Sequence, residues 1–98
     1  MNAVKVDAEL KVPGGKLVRV ELEVDGGLIR EAKITGDFFL YPEEAIFKLE
    51  ESLKGVGVDA NFEDLISNLL VRMDAQLLGA SPLDLANVIR KALSKMKS

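Results

Sequence analysis

Four carboxylates, Glu43, Glu44, Glu50 and Glu51, are the densest group of acid–base side chains in the sequence. General acid–base catalysis and hard-cation binding both need such groups to converge in a pocket. These share a stretch with Ala45, Ile46, Leu49 and Leu53, which recur at helical spacing, so they read as the solvated face of an amphipathic helix. Asp59 and Asp64 read the same way. The other candidate is Pro13-Gly14-Gly15-Lys16, where glycines would let backbone amides approach an anion and a lysine would add charge. A phosphate loop has a longer spacing, a Ser or Thr after the lysine and a helix directly behind it, whereas an alternating segment follows here. A plain turn is one reading of these four residues and an anion contact the other.

What is missing narrows the chemistry further. With no cysteine there is no disulfide framework, thiolate metal site or sulfur nucleophile, and with no histidine the commonest base near neutral pH is gone. A net charge of −3 and a pI of about 4.9 argue against nucleic acid, which is held by Lys and Arg neutralising phosphates. At 98 residues, 48% hydrophobic and 30% charged, the chain suits one globular domain, 1–98. Met1 runs at once into an alternating segment, and no apolar run approaches about 20 residues, so the expectation is a cytoplasmic protein with no membrane partner.

The elements that would position these residues follow from periodicity. Val4, Val6, Ala8, Leu10 and Val12 alternate with charged residues, predicting a strand over 3–12 with one buried face. Pro13 and the two glycines reverse the chain. Val18, Val20, Leu22 and Val24 predict a second strand over 16–25, and Asp25-Gly26-Gly27 a hairpin turn. A third strand, 28–36, returns with Leu28, Ala32 and Ile34 inward. Helices are predicted over 42–54, opened by Pro42, over 61–73, capped by Asn61, and over 82–96, capped by Ser81. Whether the second continues to Leu78 is left open by its pattern. The fold class is α+β, a three-stranded antiparallel meander with three helices on one face.

The least ordinary stretch is Gly36-Asp37-Phe38-Phe39-Leu40-Tyr41-Pro42, an apolar junction between strand and helix. Its large side chains either all plug the end of the core, or alternate so that some point outward as an anchor for a partner. Asp37 reads as a cap for the turn or for the helix that follows.

Lys11-Val12-Pro13-Gly14-Gly15-Lys16-Leu17-Val18, then a hairpin, then Ile34-Thr35-Gly36-Asp37-Phe38-Phe39, Pro42-Glu43-Glu44-Ala45 and a helix ending at Lys54-Gly55 together resemble a known family. They are similar to the C-terminal accessory domain of lipoate-protein ligase, in the form some archaea and bacteria encode as a separate small subunit. The likeness is most specific between Lys11 and Gly55. Farther on, Gly79-Ala80-Ser81-Pro82-Leu83-Asp84 matches only in the order of elements.

The resemblance implies a sheet backed by helices like that of iron-sulfur scaffold and sulfur-acceptor proteins, whose chemistry needs the cysteine this chain lacks. It also implies a heterodimer in which a catalytic subunit holds lipoate and ATP with Mg, forms lipoyl-AMP and passes the lipoyl group to an acceptor protein. Neither the lipoate-binding motif nor the catalytic lysine of that subunit is matched here. No catalytic, cofactor-binding or metal-binding residue is therefore assigned, and the expected role is accessory.

The expected docking residues are Gly14, Gly15 and Lys16 in the first turn with Asp37, Phe38, Phe39 and Tyr41 in the junction. A glycine turn allows close backbone approach, and an apolar junction supplies burial. A stand-alone module that binds a lipoyl or acyl carrier domain, or a small ligand, is the alternative. An enzyme built on carboxylates is a third reading.

Overall fold

The computed structural model describes residues 3–14 and 16–96. Three strands, β1 (Val4–Lys11), β2 (Leu17–Asp25) and β3 (Leu28–Gly36), form an antiparallel sheet in the order β1-β2-β3. A short strand β4 (Phe39–Tyr41) leads into helix α1 (Ala45–Leu53) and then α2 (Phe62–Arg72). A second short strand β5 (Gln76–Leu78) pairs with β4, and helix α3 (Pro82–Ser94) closes the order. The class is α+β, with α3 packed on β1 and β2, α1 on β3, and α2 against α3.

The alternation sets the core. Val6 and Ala8 of β1 and Val18, Val20, Leu22 and Val24 of β2 all point under the helices, where they meet Leu49, Leu53, Phe62, Ile66, Leu85 and Ile89. The opposite face is a charged ladder. Arg19 sits at its centre, with its guanidinium 2.6 Å from Asp7, 3.1 Å from Glu9 and 3.9 Å from Glu21. Partial desolvation works against the Arg19 charge, but hydrogen bonding and attraction from these carboxylates outweigh it and hold the pKa above the ordinary arginine value.

The third strand departs from simple alternation. A bulge shifts the register so that Glu23 faces Glu31 while Val24 faces Ile29, leaving Arg30 as the extra residue. Ile29 is therefore fully buried and Leu28 is 46% exposed, which corrects the expected inward Leu28. Arg30 turns to Asp25 at 3.1 Å. The glycine-bearing stretch after α1 is stitched to this strand, with the Ile29 N–H on the Val56 carbonyl at 2.9 Å and the Gly55 N–H on the Ile29 carbonyl at 2.7 Å.

Helix α1 starts at Ala45, three residues later than its proline suggests. Pro42, after a cis peptide, begins a turn instead, and its carbonyl accepts the Ala45 N–H at 2.9 Å. Glu50 also corrects the reading of a wholly solvated acidic face, because its carboxylate accepts the Ile34 N–H of β3 at 2.8 Å. Helix α2 has its Asn61 cap, accepting from the Asp64 N–H at 3.1 Å, and ends at Arg72; it does not run on to Leu78. Ser81 and Asp84 form a reciprocal capping box at the start of α3.

Candidate partner-binding surface

Two segments far apart in sequence, the first turn and the 36–42 junction, meet at one end of the sheet. Gly36 pairs with Val18, and the next residue exchanges bonds with Leu17: the Asp37 N–H donates to the Leu17 carbonyl at 2.8 Å, and the Leu17 N–H reaches the Asp37 carboxylate at 3.4 Å. Asp37 thus ties the junction to the start of β2. It does not cap α1, whose N-cap is Glu44 with no side-chain cap bond.

Only glycine permits this approach at position 36. Its φ is 153°, and a Cβ there would overlap the Leu17 carbonyl oxygen and sit 3.0 Å from the Val18 Cα. Gly36→Ala is expected to cost roughly 2 kcal/mol or more, because backbone would have to move, and to lower Tm by about 10 °C. Gly26→Ala, also at positive φ but with open space around the added carbon, is expected to cost less. Parallel thermal melts of the two variants check this order.

The turn itself is closed by the Val12 N–H on the Lys16 carbonyl at 2.8 Å, with Gly14 at φ 96°. Gly15 lies outside the described residues. A third segment joins the end at Gly79, φ 91°. A Cβ on it would lie 3.2 Å from the Asp37 carbonyl oxygen, 3.3 Å from the Phe38 Cα and 3.5 Å from the Lys16 Cδ. Lys16, Asp37, Phe38 and Gly79 are therefore one cluster, and Lys16 lays its apolar stem over the glycine while its residue stays exposed.

On this base stands the two-stranded ribbon. Phe39 pairs with Leu78, Leu40 with Leu77 and Tyr41 with Gln76. The strand period of two sends Leu40 into the core at 8% exposure and leaves Phe39 65%, Tyr41 57% and Leu78 45% exposed. The large side chains of the junction therefore do not all plug the core: they alternate in exposure along the strand. Phe38 is half-buried and packs against the core, so among the expected docking residues it supports the surface from within rather than lying on it. Leu78 was missed by sequence reasoning, as was Phe47 on α1, which is 67% exposed beside a shallow apolar groove of about 410 Å³ that also borders Leu69 and Met73.

Nothing comparable gathers the carboxylates. Glu50 is spent on β3 and Glu51 lies 2.7 Å from Lys54. Among the described residues no three of His, Cys, Asp and Glu are grouped to hold a metal ion, and no helix is long and apolar enough to cross a membrane.

The fold and this surface define a small α+β domain whose most distinctive exposed feature is an aromatic face at one end of a meander. The family model described as bacterial lipoate protein ligase C-terminus matches residues 3–89, and the chain belongs to that family. Lipoate-protein ligase A subunit 2 of Thermoplasma acidophilum is 44% identical over 43 residues, which is 44% of this chain and 46% of that protein. The chain thus matches less than half the length of this curated relative. The fold is also similar to a chain of the solved archaeal lipoylation system of Thermoplasma acidophilum, described as a bi-partite lipoate protein ligase and its E2 lipoyl domain. The TM-score is 0.71 at 29% identity, covering 91% of this chain and 96% of that one.

Proposed function

We propose that this chain is the accessory subunit of a bipartite lipoate-protein ligase, a single domain that docks on a separate catalytic subunit and is required for ATP-dependent formation of lipoyl-AMP. The observation that carries the reading is the ribbon face, where Phe39, Tyr41 and Leu78 stand exposed side by side on a base tied together by Gly36, Asp37 and Gly79. Exposed aromatics clustered on a well-supported surface mark contact sites, and in a member of this family the natural occupant is the rest of the ligase. Lys16 and Asp37 lie at the margin of that face, beside Gly79 and Phe38, and Gly14 belongs to the turn that leads to Lys16. Lipoate, ATP and Mg belong on the partner, together with the catalytic residues, and the product serves a lipoyl acceptor protein in the cytoplasm.

The test is reconstitution. The purified chain is mixed with a catalytic subunit, lipoate and ATP, and pyrophosphate release is followed with and without it. Release is expected to depend on the chain and to saturate at a ratio of one to one. Equal rates with and without it would remove the accessory role and leave a stand-alone carrier-binding module as the better reading.

A further inference from the structure

Both edges of the main sheet are occupied by side chains or loop from the helical layer. At the β3 edge, Glu50 takes the Ile34 N–H, and the segment after α1 takes the N–H and the carbonyl of Ile29. At the β1 edge no such loop is found among the described residues, and two lysines of the α3 end serve in its place. The Lys91 Nζ donates to the Glu9 carbonyl at 2.7 Å, and the Lys95 Nζ donates to the Asp7 carbonyl. Asp7 and Glu9 are thus the residues whose backbone groups face away from β2, since a strand residue turns its N–H and carbonyl to the same side. Among the described residues their N–H groups have no hydrogen-bond partner beside the capped carbonyls.

The strand left behind these lysines is self-complementary. In antiparallel pairing about a two-fold axis, residue i meets j while j meets i. Centring the axis on Asp7 pairs Val4 through Leu10, all of the strand but Lys11, and places Lys5 opposite Glu9 of the second copy, twice. On the helix side it sets Val6 against Ala8 and the 42%-exposed Val4 against Leu10, so apolar residues meet apolar ones. The one like-charged meeting, Asp7 with its own copy, is relieved by Arg19 at 2.6 Å from each carboxylate. Shifting the register so that Asp7 meets Glu9 would instead oppose two acids and set Lys5 against Lys11.

We infer that Lys91 and Lys95 are edge guards, and that the edge they hold shut would, once freed, pair with β1 of a second copy of this chain. Removing the two ammonium groups exposes the carbonyls of Asp7 and Glu9 and frees a complete edge for strand pairing, the hazard that edge lysines counter in β proteins. The guarded edge is formed by β1 and α3 and does not depend on the docking role of the ribbon face.

Sedimentation equilibrium of the full chain tests this with four proteins. Lys91→Ala with Lys95→Ala is expected to raise the dimer fraction at least tenfold over the unsubstituted chain at equal concentration, with slowed amide exchange at Asp7 and Glu9. Adding Glu9→Lys, which opposes two lysines in the Asp7-centred register, is expected to return the protein to monomer. Adding Lys5→Glu to that variant restores opposite charges and is expected to restore the dimer. Should circular dichroism show the alanine pair unfolded, Lys91→Met with Lys95→Met keeps the packed stems while deleting the charges. An alanine or methionine pair that stays folded and monomeric overturns the inference, as does a dimer indifferent to both charge changes.

Discussion

Phe39→Ala is expected to weaken binding to the catalytic ligase subunit by roughly 30- to 100-fold, about 2–3 kcal/mol, while leaving the melting temperature of the isolated chain nearly unchanged. The two halves of this expectation have one cause. Phe39 is 65% exposed in the lone domain, so truncating the ring leaves no internal cavity. In a complex, an aromatic ring near the middle of an apolar patch is where binding energy concentrates. Leu78, its cross-strand neighbour, and Tyr41 on the same face would flank it in the contact. Lys16→Glu, at the margin, is expected to act more through association rate and salt dependence than through dissociation. Titration calorimetry of both variants, beside thermal melts, separates binding from folding. Unchanged affinity in both variants would mean that the subunits meet elsewhere.

Phe62→Ala is expected to show the opposite pattern. Phe62 opens α2 and is fully buried in the core, so its removal is expected to cost about 3–5 kcal/mol. In a domain of this size that corresponds to a fall in Tm of roughly 15 °C or more. Val71, on the same helix but 80% exposed, provides the comparison: Val71→Ala is expected to change stability by no more than about 0.5 kcal/mol. A Phe62→Ala variant melting within a few degrees of the parent would show that the start of α2 is not part of the cooperative core.

The parts of this fold that were legible beforehand are those governed by a repeating pattern. Val18, Val20, Leu22 and Val24 repeat with the strand period over enough residues to define a face, and Ser81 with Asp84 marks a helix start by local chemistry alone. The bulge at Arg30 was hidden because it depends on how β3 registers against β2, and one added residue swaps Leu28 for Ile29 at the core. The ribbon was hidden for a related reason. Three residues are too few to show a period, and the partner of β4 lies beyond two helices. Glu50 looked like any surface glutamate, because the edge amide it serves belongs to another element.

The candidate surface divides the same way. Phe39 and Tyr41 stood out by their clustering, and the alternation that separates them from Phe38 and Leu40 was one of two readings open to the sequence. Leu78 and Gly79 carried no such signal, since their place in the cluster follows from pairing and from a close approach that only the folded chain displays. The motif resemblance found the family because it rests on the turn and junction residues, the same ones that the fold brings together at the end of the sheet.

The placement of Tyr41 gives the molecule a built-in reporter. The chain has one tyrosine and no tryptophan, so its ultraviolet emission originates from a single phenol, and that phenol stands on the ribbon beside Phe39. Any macromolecule that covers the ribbon changes the polarity around this ring and hence its quantum yield, whereas one that settles on the charged outer face of the sheet leaves the signal alone. Unlabelled protein can therefore tell, by optical titration, which of its sides has been occupied.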